Sequence, residues 1–306
     1  MYSSAVVKAP AKLNLALNIT GIRDDGYHLM SMVMQAIDLC DIIELKKNDN
    51  GTIKISCDKS SLPCDSTNIA YRAAEAFFEY TGETNHGVTI NITKNIPMQA
   101  GLGGGSADGA AVLVGLNHMY SAGLAQGELC KIGLPVGADI PFCINGGTAL
   151  AEGIGEILTP MPLLPECHIV VAKPAAGINT AQAFKKYDSM GSKRSADINK
   201  IKDAVFAGDL RAVCANMYNV LQEVAELPEI DSLCKKISGY GALGAMMSGS
   251  GSAVFGIFDS KKNAKRCLTS LLGEVDSIFL AAPAGYGAQL VCNRKYISDD
   301  YISLEE

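Results

Sequence analysis

The chain has 306 residues, of which 48% are hydrophobic and 19% charged, which is enough apolar material for proper cores and a length that suggests about two domains. Its formal net charge of -6 argues against a nucleic-acid groove or an anionic membrane surface as binding partner. An acidic protein can still bind phosphates, because backbone amides and a few local cations suffice.

The sequence has no apolar run of about 18 residues, and its N-terminus shows neither a signal pattern nor an arginine-rich leader. We therefore expect no membrane span and a cytoplasmic location. The 10 cysteines are scattered and include no C-x-x-C pair. Neither a zinc site nor a disulfide framework is predicted, and most of the cysteines should be small buried hydrophobic residues.

The first predicted strands lie in residues 9–41. One face of the initial strand is apolar through Ala9, Ala11, Leu13, Leu15 and Leu17. Lys12 and Asn14 lie on its other face. The segment DDGYH that follows is a predicted turn, which presents Tyr27 and His28 before another apolar strand. A lysine on a strand is usually solvated and a histidine in a turn is usually incidental, so neither residue alone indicates a site.

Two further strands and a helix are predicted before the middle of the chain. Apolar and polar residues alternate over 52–57 and 87–92, which is typical of strands with one buried face. Residues 67–82 have the pattern of a helix that is capped by Thr67 or Asn68 and closed by Gly82.

A glycine cluster, PMQAGLGGGS at 97–106, precedes an alanine-rich stretch. It is not a P-loop, since no lysine follows the glycines, and it lacks the acid expected after a dinucleotide fingerprint. The glycines can bring backbone amides close to a ligand, and a helix beginning at about Ser106 would add free N–H groups and a positive dipole end. Together these favour an anion such as a polyphosphate, but a flexible strand-to-helix turn explains the cluster equally well.

The helix predicted over 106–120 has four side chains that face inward: Val112, Leu113, Leu116 and Tyr120.

In the later segment GADIPF, Asp139 precedes a helical turn that contains Pro141. Capping of that turn is the ordinary role for such an aspartate, and a catalytic base held on a rigid turn is the alternative. Residues 157–167 contain three prolines, which suit a linker.

The second half of the chain mixes strands and helices, as the first half does. A short buried strand is predicted at 168–174, and a glycine-rich turn runs into a strand over 247–258. Charged helical stretches lie near 198–224, 229–238 and 261–272.

Five segments occur in an informative order: PAKLNL, GYH, GLGGGSAD, GADIPF and a late SGSG. In this combination the chain resembles the GHMP small-molecule kinases from Ala9 to about Val291. GYH together with GADIPF makes it most similar to the members that phosphorylate a cytidine diphosphate-linked methylerythritol. The resemblance implies an α+β protein of two domains, a ribosomal-protein-S5-like α/β domain at 1–160 that binds ATP and a ferredoxin-like α/β domain at 161–306.

Transfer of the ATP γ-phosphoryl group to the 2-hydroxyl of the methylerythritol, a step in non-mevalonate isoprenoid synthesis, is the activity that the resemblance implies. Asp139 would be the base or orienter for that hydroxyl, and Lys12 would assist it by lowering the pKa of the hydroxyl. The glycine-rich loop would wrap the phosphates, and Asn68 and Lys94 would lie near the adenine. The implied phosphate-binding residues are Pro97, Gly101, Leu102, Gly103, Gly104, Gly105 and Ser106.

By the same resemblance, Tyr27 and His28 would hold the cytidine and Asn14 would reach the methylerythritol. Thr180 and Phe184 would form a second wall of the cytosine site, although Ala181 stands where the family often has proline. ATP chemistry implies Mg²⁺, held mainly by phosphates and water, with no dedicated metal-binding residue. The expected partners are these small molecules, with neither nucleic acid nor membrane, and the chain is expected to be a monomer or homodimer.

Two alternatives stay open on the sequence. Another GHMP kinase, acting on homoserine, mevalonate or a sugar, would share the glycine-rich loop but would have no reason to keep GYH or the aromatic residue at Phe184. A non-catalytic nucleotide-binding protein on the same scaffold would have no need for Lys12 together with Asp139.

Overall fold

Two β-sheets organise the part of the chain that the computed structural model describes, residues 2–84, 86–190 and 194–291. The strands are β1 (Ser4–Ile22), β2 (His28–Lys47), β3 (Ile53–Cys57), β4 (Val88–Thr93), β5 (Thr148–Gly153), β6 (Ile157–Met161), β7 (His168–Lys173), β8 (Tyr218–Asn219), β9 (Gly244–Met247), β10 (Val254–Phe258), β11 (Ser277–Ala281) and β12 (Gln289–Leu290). The helices are α1 (Ile69–Thr81), α2 (Gly104–Tyr120), α3 (Gln126–Gly133), α4 (Ile140–Asn145), α5 (Thr180–Ser189), α6 (Ile198–Phe206), α7 (Leu210–Ala215), α8 (Pro228–Gly239) and α9 (Lys261–Leu271), with a short 3-10 helix at Gln222–Val224.

The first sheet has eight strands and is built around the long hairpin of β1 and β2. β2 also pairs antiparallel with β4 and β5, β3 joins β4 in parallel, and β6 pairs antiparallel with β5. β8 and β12 come from the second half of the chain and pair with β1. The second sheet has four antiparallel strands in the order β11-β7-β10-β9. One mixed sheet and one antiparallel sheet, with helices packed on them, confirm the predicted α+β class.

β1 is buried on both faces, which corrects the expectation that a lysine on this strand is solvated. Lys12 is only 6% exposed and Asn14 is fully buried. The glycine-rich loop covers Lys12, since a Cβ added at Gly103 would lie 2.9 Å from Lys12 Cγ. The backbone amide of Asn14 donates to Ser248 Oγ at 3.3 Å, so a segment from the second half covers that residue.

α2 begins at Gly104, two residues before the predicted start. The four side chains that were predicted to face inward are all buried: Val112, Leu113, Leu116 and Tyr120. Its small residues beyond the first turn are buried as well, because α2 packs against β1, β2, α1 and α4. α1 follows its prediction closely: Asn68 Oδ1 accepts from Ala70 N at 2.8 Å, and Gly82 closes the helix with φ 65°.

The predicted linker at 157–167 is wrong in its first half, because Ile157–Met161 forms β6 and only the residues after it connect the two sheets. Pro160 is tolerated there because, among the described strands, β6 pairs with β5 alone and is an edge strand. The division into domains at 1–160 and 161–306 stays a prediction.

β7 is buried as predicted, and its alternate residues face opposite sides. Ile169 and Val171 join one apolar cluster, and Val170 and Ala172 join another.

The nine cysteines within the described residues are free thiols, and Cys292 lies outside the described residues. Five of the nine are buried: Cys40, Cys143, Cys167, Cys214 and Cys267. Among the described helices, none combines the length and the apolar character that crossing a membrane requires.

Candidate active site

The glycine-rich loop is shaped by two left-handed glycines. Gly101 has φ 74° and Gly103 φ 71°, whereas Gly104 and Gly105 have negative φ and belong to the first turn of α2. A Cβ at Gly101 would lie 2.0 Å from the carbonyl oxygen of Ser248, so only glycine fits there. Pro97 is half-buried at the start of the loop, and Leu102 is buried and accepts a hydrogen bond from Lys12 N at 3.0 Å.

The first turn of α2 offers unpaired amides. Gly103 caps the helix without a side chain, and Ser106 lies inside the helix and does not cap it. Within the described residues, the backbone amides of Gly104, Gly105 and Ser106 are not found to donate a hydrogen bond. The helix is 17 residues long, so its positive dipole end reinforces these donors. This geometry suits an anion.

Lys12 and Asp139 meet beside that helix end. Lys12 Nζ lies 3.5 Å from Asp139 Oδ2 and donates to Asn14 Oδ1 at 2.7 Å. Asp139 begins α4 with Pro141 in the first turn, as predicted, but its side chain makes no capping hydrogen bond. The side chain of Asp139 is 30% exposed and reaches solvent, whereas the buried side chain of Lys12 is held by its hydrogen bond to Asn14. The carboxylate is therefore available to a ligand, and the ammonium has a fixed position.

The segment from Ser248 to Ser252 docks on the glycine-rich loop from the second half of the chain. Ser248 Oγ donates to the carbonyl of Gly101 at 3.0 Å, and Ser252 N donates to the carbonyl of Gln99 at 3.3 Å. Ala253 N donates to the carbonyl of Ala100 at 3.1 Å. These bonds fix the two loops to each other, so the conformation of the glycine-rich loop depends on both halves of the chain.

His28 and Phe184 are brought together, as expected for two walls of one site. Their ring centroids are 4.5 Å apart with an interplanar angle of 25°. Tyr27 points elsewhere: it is 58% exposed, and its ring lies under Arg23 Cζ at 5.4 Å. Thr180 Oγ1 shares a hydrogen bond of 2.7 Å with Ser250 Oγ.

Asn68 and Lys94, the two residues predicted near adenine, have their side chains bonded within the chain. Asn68 caps α1 and also donates to the carbonyl of Pro63 at 2.7 Å. Lys94 Nζ lies 2.9 Å from Asp108 Oδ2 and pairs with Asp41 as well. A contribution of either residue to adenine binding stays a prediction.

Asp41, Lys94 and Asp108 form a buried charge cluster directly below the start of α2. A Cβ added at Gly104 would lie 3.1 Å from Lys94 Nζ. The two carboxylates raise the pKa of Lys94 to about 12 against the opposing effect of burial. Burial, followed by the neighbouring Asp41, raises the pKa of Asp108 well above its usual value. Asp41 Oδ1 accepts from the amides of Asn95 and Ile96, so the cluster also fixes the approach to the glycine-rich loop.

Two contributors to this region were missed from the sequence. Asp41 is a carboxylate within an otherwise apolar run, and that contrast was the available signal. Asp188 Oδ1 lies 2.8 Å from His28 Nε2, and its position four residues after Phe184 on a helix was the available signal. No group of three or more His, Cys, Asp or Glu side chains suited to a metal ion is found within 2–84, 86–190 and 194–291.

Family models match both halves of the chain. The model of the GHMP kinases N terminal domain matches residues 68–147, and the model of the GHMP kinases C terminal matches residues 201–275. The 4-diphosphocytidyl-2-C-methyl-D-erythritol kinase of Alkaliphilus metalliredigens is 45% identical over 267 residues, which cover 87% of this chain and 91% of that protein.

Solved structures agree with the family models. A crystal structure of 4-(cytidine 5'-diphospho)-2C-methyl-D-erythritol kinase aligns with a TM-score of 0.76 at 30% identity, covering 91% of this chain and 99% of that one. A homoserine kinase from Cytophaga hutchinsonii aligns with a TM-score of 0.78 at 18% identity, covering 95% and 98% of the two chains. At that identity the second likeness concerns the fold alone.

Proposed function

Because the chain belongs to the GHMP kinases, and within them to the 4-diphosphocytidyl-2-C-methyl-D-erythritol kinases, we propose that it transfers the γ-phosphoryl group of ATP to the 2-hydroxyl of that cytidine diphosphate-linked alcohol. The chain is an enzyme of the methylerythritol phosphate route to isoprenoids. The juxtaposition that carries the residue-level proposal is the Lys12–Asp139 ion pair of 3.5 Å beside the unpaired amides of α2.

The phosphates of ATP are proposed to occupy the space in front of α2. Gly103, Gly104, Gly105 and Ser106 place backbone donors there, and charge stabilisation by fixed donors is what phosphoryl transfer mainly requires. Mg²⁺ would neutralise the phosphate charge when bound, and it would be held mainly by phosphates and water. Residues 1–160, which contain this loop, form the proposed ATP-binding domain.

Asp139 is proposed to accept the proton of the attacking hydroxyl at its exposed carboxylate, or to orient that hydroxyl if proton removal comes late. Lys12 is proposed to place its positive charge next to the oxygen of that hydroxyl, where the charge stabilises the alkoxide as it develops. Asn14 Oδ1 orients the ammonium of Lys12 by accepting its hydrogen bond at 2.7 Å. The buried position of Lys12 keeps this geometry fixed, which favours the aligned attack.

The cytidine is proposed to bind where His28 and Phe184 meet, with Tyr27 and Thr180 at the margins. Stacking of a base on an aromatic ring is worth about 1–3 kcal/mol but accepts any base. Discrimination between bases therefore needs hydrogen bonds to the base edge, and His28 is the side chain placed to supply one. Remote binding of this kind also positions the reacting hydroxyl.

Steady-state kinetics with a panel of alcohols tests the proposal. The panel contains the cytidylylated acceptor, bare methylerythritol 4-phosphate, homoserine and mevalonate. We expect turnover of the cytidylylated acceptor and a kcat/KM lower by up to about 10⁴-fold for the bare phosphate, since the base-binding groups are then left unpaired. Comparable kcat/KM for the first two, or preference for homoserine or mevalonate, would assign the chain to another GHMP kinase activity.

A further inference from the structure

His28 is held by a carboxylate that the proposed catalytic and binding residues do not include. Asp188 Oδ1 lies 2.8 Å from His28 Nε2, and the histidine side chain is 14% exposed. His28 begins β2 and Asp188 belongs to α5, so the contact joins the two halves of the chain. Phe184, which stacks on the same imidazole, lies one helical turn before Asp188. One face of α5 therefore fixes both the plane and one nitrogen of the ring.

This contact determines which nitrogen of the neutral imidazole carries the proton. An ionised carboxylate can only accept hydrogen bonds, so Nε2 must be the donor to Asp188. A neutral imidazole has a single N–H, and Nδ1 is then an acceptor. Within the described residues, no hydrogen bond to Nδ1 of His28 is found, and this atom is not among the buried unpaired ones. In the neutral ring, Nδ1 is accordingly an accessible nitrogen without a proton.

We propose that Asp188 is a specificity-determining positioning residue, which makes His28 Nδ1 a hydrogen-bond acceptor and thereby selects a base that carries an exocyclic amino group. Cytosine presents an amino donor at its edge, whereas a pyrimidine with a carbonyl at that position, such as uracil, presents an acceptor. Two acceptors facing each other exclude the hydrogen bond. The inference rests on the proposed function, because it assumes that the acceptor's base reaches His28.

A purely structural role for Asp188 has different consequences. Its side chain is 38% exposed, and an exposed side-chain contact of this kind contributes little to stability. If the contact only joined α5 to β2, its loss would weaken every pyrimidine-linked acceptor equally. Selection through the tautomer of His28 changes the ratio between acceptors, which is the quantity to measure.

The kinetic experiment compares the cytidylylated acceptor with its uridine analogue on the wild type and on Asp188→Ala. We expect the ratio of their kcat/KM values to narrow by roughly tenfold in the variant, the scale of one hydrogen bond to a base. Glu226→Ala is the matched control: it removes another carboxylate that pairs with α5, through Lys186, and leaves His28 untouched. The control should keep the wild-type ratio.

The outcomes separate the two proposals. An unchanged ratio in a variant that still phosphorylates the cytidylylated acceptor overturns the role of Asp188 alone. A wild type that phosphorylates neither acceptor overturns the proposed function and this inference with it.

Ring ¹⁵N NMR shifts supply a readout that does not need turnover. The chain has 4 histidines, and a spectrum of His28→Gln identifies the signals of His28. We expect the Nε2–H tautomer in the wild type and a larger Nδ1–H fraction in Asp188→Ala. A wild-type His28 protonated at Nδ1 in the neutral ring would overturn the inference.

Discussion

At the scale of single residues, the site combines a buried cation with a solvent-facing carboxylate. Lys12 gives up its hydration on β1 and is compensated by Asn14 and Asp139. Asp139 directly precedes α4 but its side chain makes no capping hydrogen bond, so the carboxylate pairs with Lys12 and does not serve the helix. A carboxylate that lies at the start of a helix without capping it is available for chemistry, and this is the basis of the first prediction.

Asp139→Asn should lower kcat by about 10²-fold or more, the scale typical of general acid–base groups, and leave ATP affinity nearly unchanged. Calorimetry with an ATP analogue and steady-state kinetics measure the two quantities. Asp203→Asn, on the exposed surface of α6, is the control and should behave as the wild type. Near-normal turnover by folded Asp139→Asn would remove Asp139 from the mechanism.

At the scale of elements, the start of α2 is fixed from three sides. The loop from Ser248 to Ser252 binds the glycine-rich loop, Lys12 lies against Gly103, and the Asp41–Lys94–Asp108 cluster lies below Gly104. An anion site made of backbone amides works only if those amides cannot rearrange. The surrounding contacts supply that rigidity.

Gly103→Ala should reduce kcat at least about tenfold, because the new methyl group would lie 2.9 Å from Lys12 Cγ and displace the lysine. Gly123→Ala is the matched control, since Gly123 has a similar φ of 67° and no atom within 4 Å of the added Cβ. Both variants pay about 1–2 kcal/mol for the left-handed backbone. Equal activities of the two variants would show that Gly103 matters only for its backbone conformation.

Lys94→Met should destabilise the protein by about 3–5 kcal/mol, because the buried carboxyl groups of Asp41 and Asp108 lose the ammonium that pairs with both of them. Urea unfolding near pH 7 measures the loss. In the double variant Lys94→Met with Asp108→Asn, a neutral amide replaces one of the two carboxyl groups that lost their cation. This variant should recover part of the stability. Equal stability of the single and double variants would contradict the pairing.

The pH dependence of this cluster has a defined sign. The pKa of Lys94 is raised from 10.5 to about 12, so the stability it contributes is complete below the unfolded pKa and is lost as pH rises through about 12.

At the scale of the whole molecule, the two sheets are joined where the site lies. β8 belongs to the second half of the chain, and its pairing with β1 begins two residues after Asn14. Asn219 at its end donates to the carbonyls of Met247 and Gly249 at 2.9 and 2.8 Å and accepts from Leu221 N. This buried amide therefore adds to the hydrogen bonds that hold the Ser248–Ser252 segment against the first sheet.

Asn219→Asp should cost about 2–4 kcal/mol of stability, since two buried carbonyls lose their donor and face a carboxylate. Kinetics on the folded fraction should also show a raised KM for ATP, because the glycine-rich loop loses its support. Asn199→Asp, an exposed change on α6, controls for the added charge and should have neither effect. A wild-type urea midpoint for Asn219→Asp would contradict this role.

The sequence predicted the features that depend on local order along the chain. The cap at Asn68, the closing Gly82, the inward face of α2 and the turn before His28 were confirmed, because capping, left-handed glycines and helical periodicity are decided within a few residues. The motifs identified the family because their order and combination along the chain are specific, although each motif alone is not. The start of α2 was misplaced and the strand β6 was missed in favour of a linker, since glycine and proline are weak markers of where an element begins.

Only the tertiary structure decided what surrounds each polar side chain. The burial of Lys12, the Asp41–Lys94–Asp108 cluster and the contact of His28 with Asp188 all join residues from different elements. A periodic pattern predicts which face of a strand is apolar, but not which distant segment covers the other face. Charge pairing acts over a few ångströms in space, and sequence separation carries no information about it. The sequence by itself therefore determined the elements and the family, and packing of the two halves determined the environment of the site.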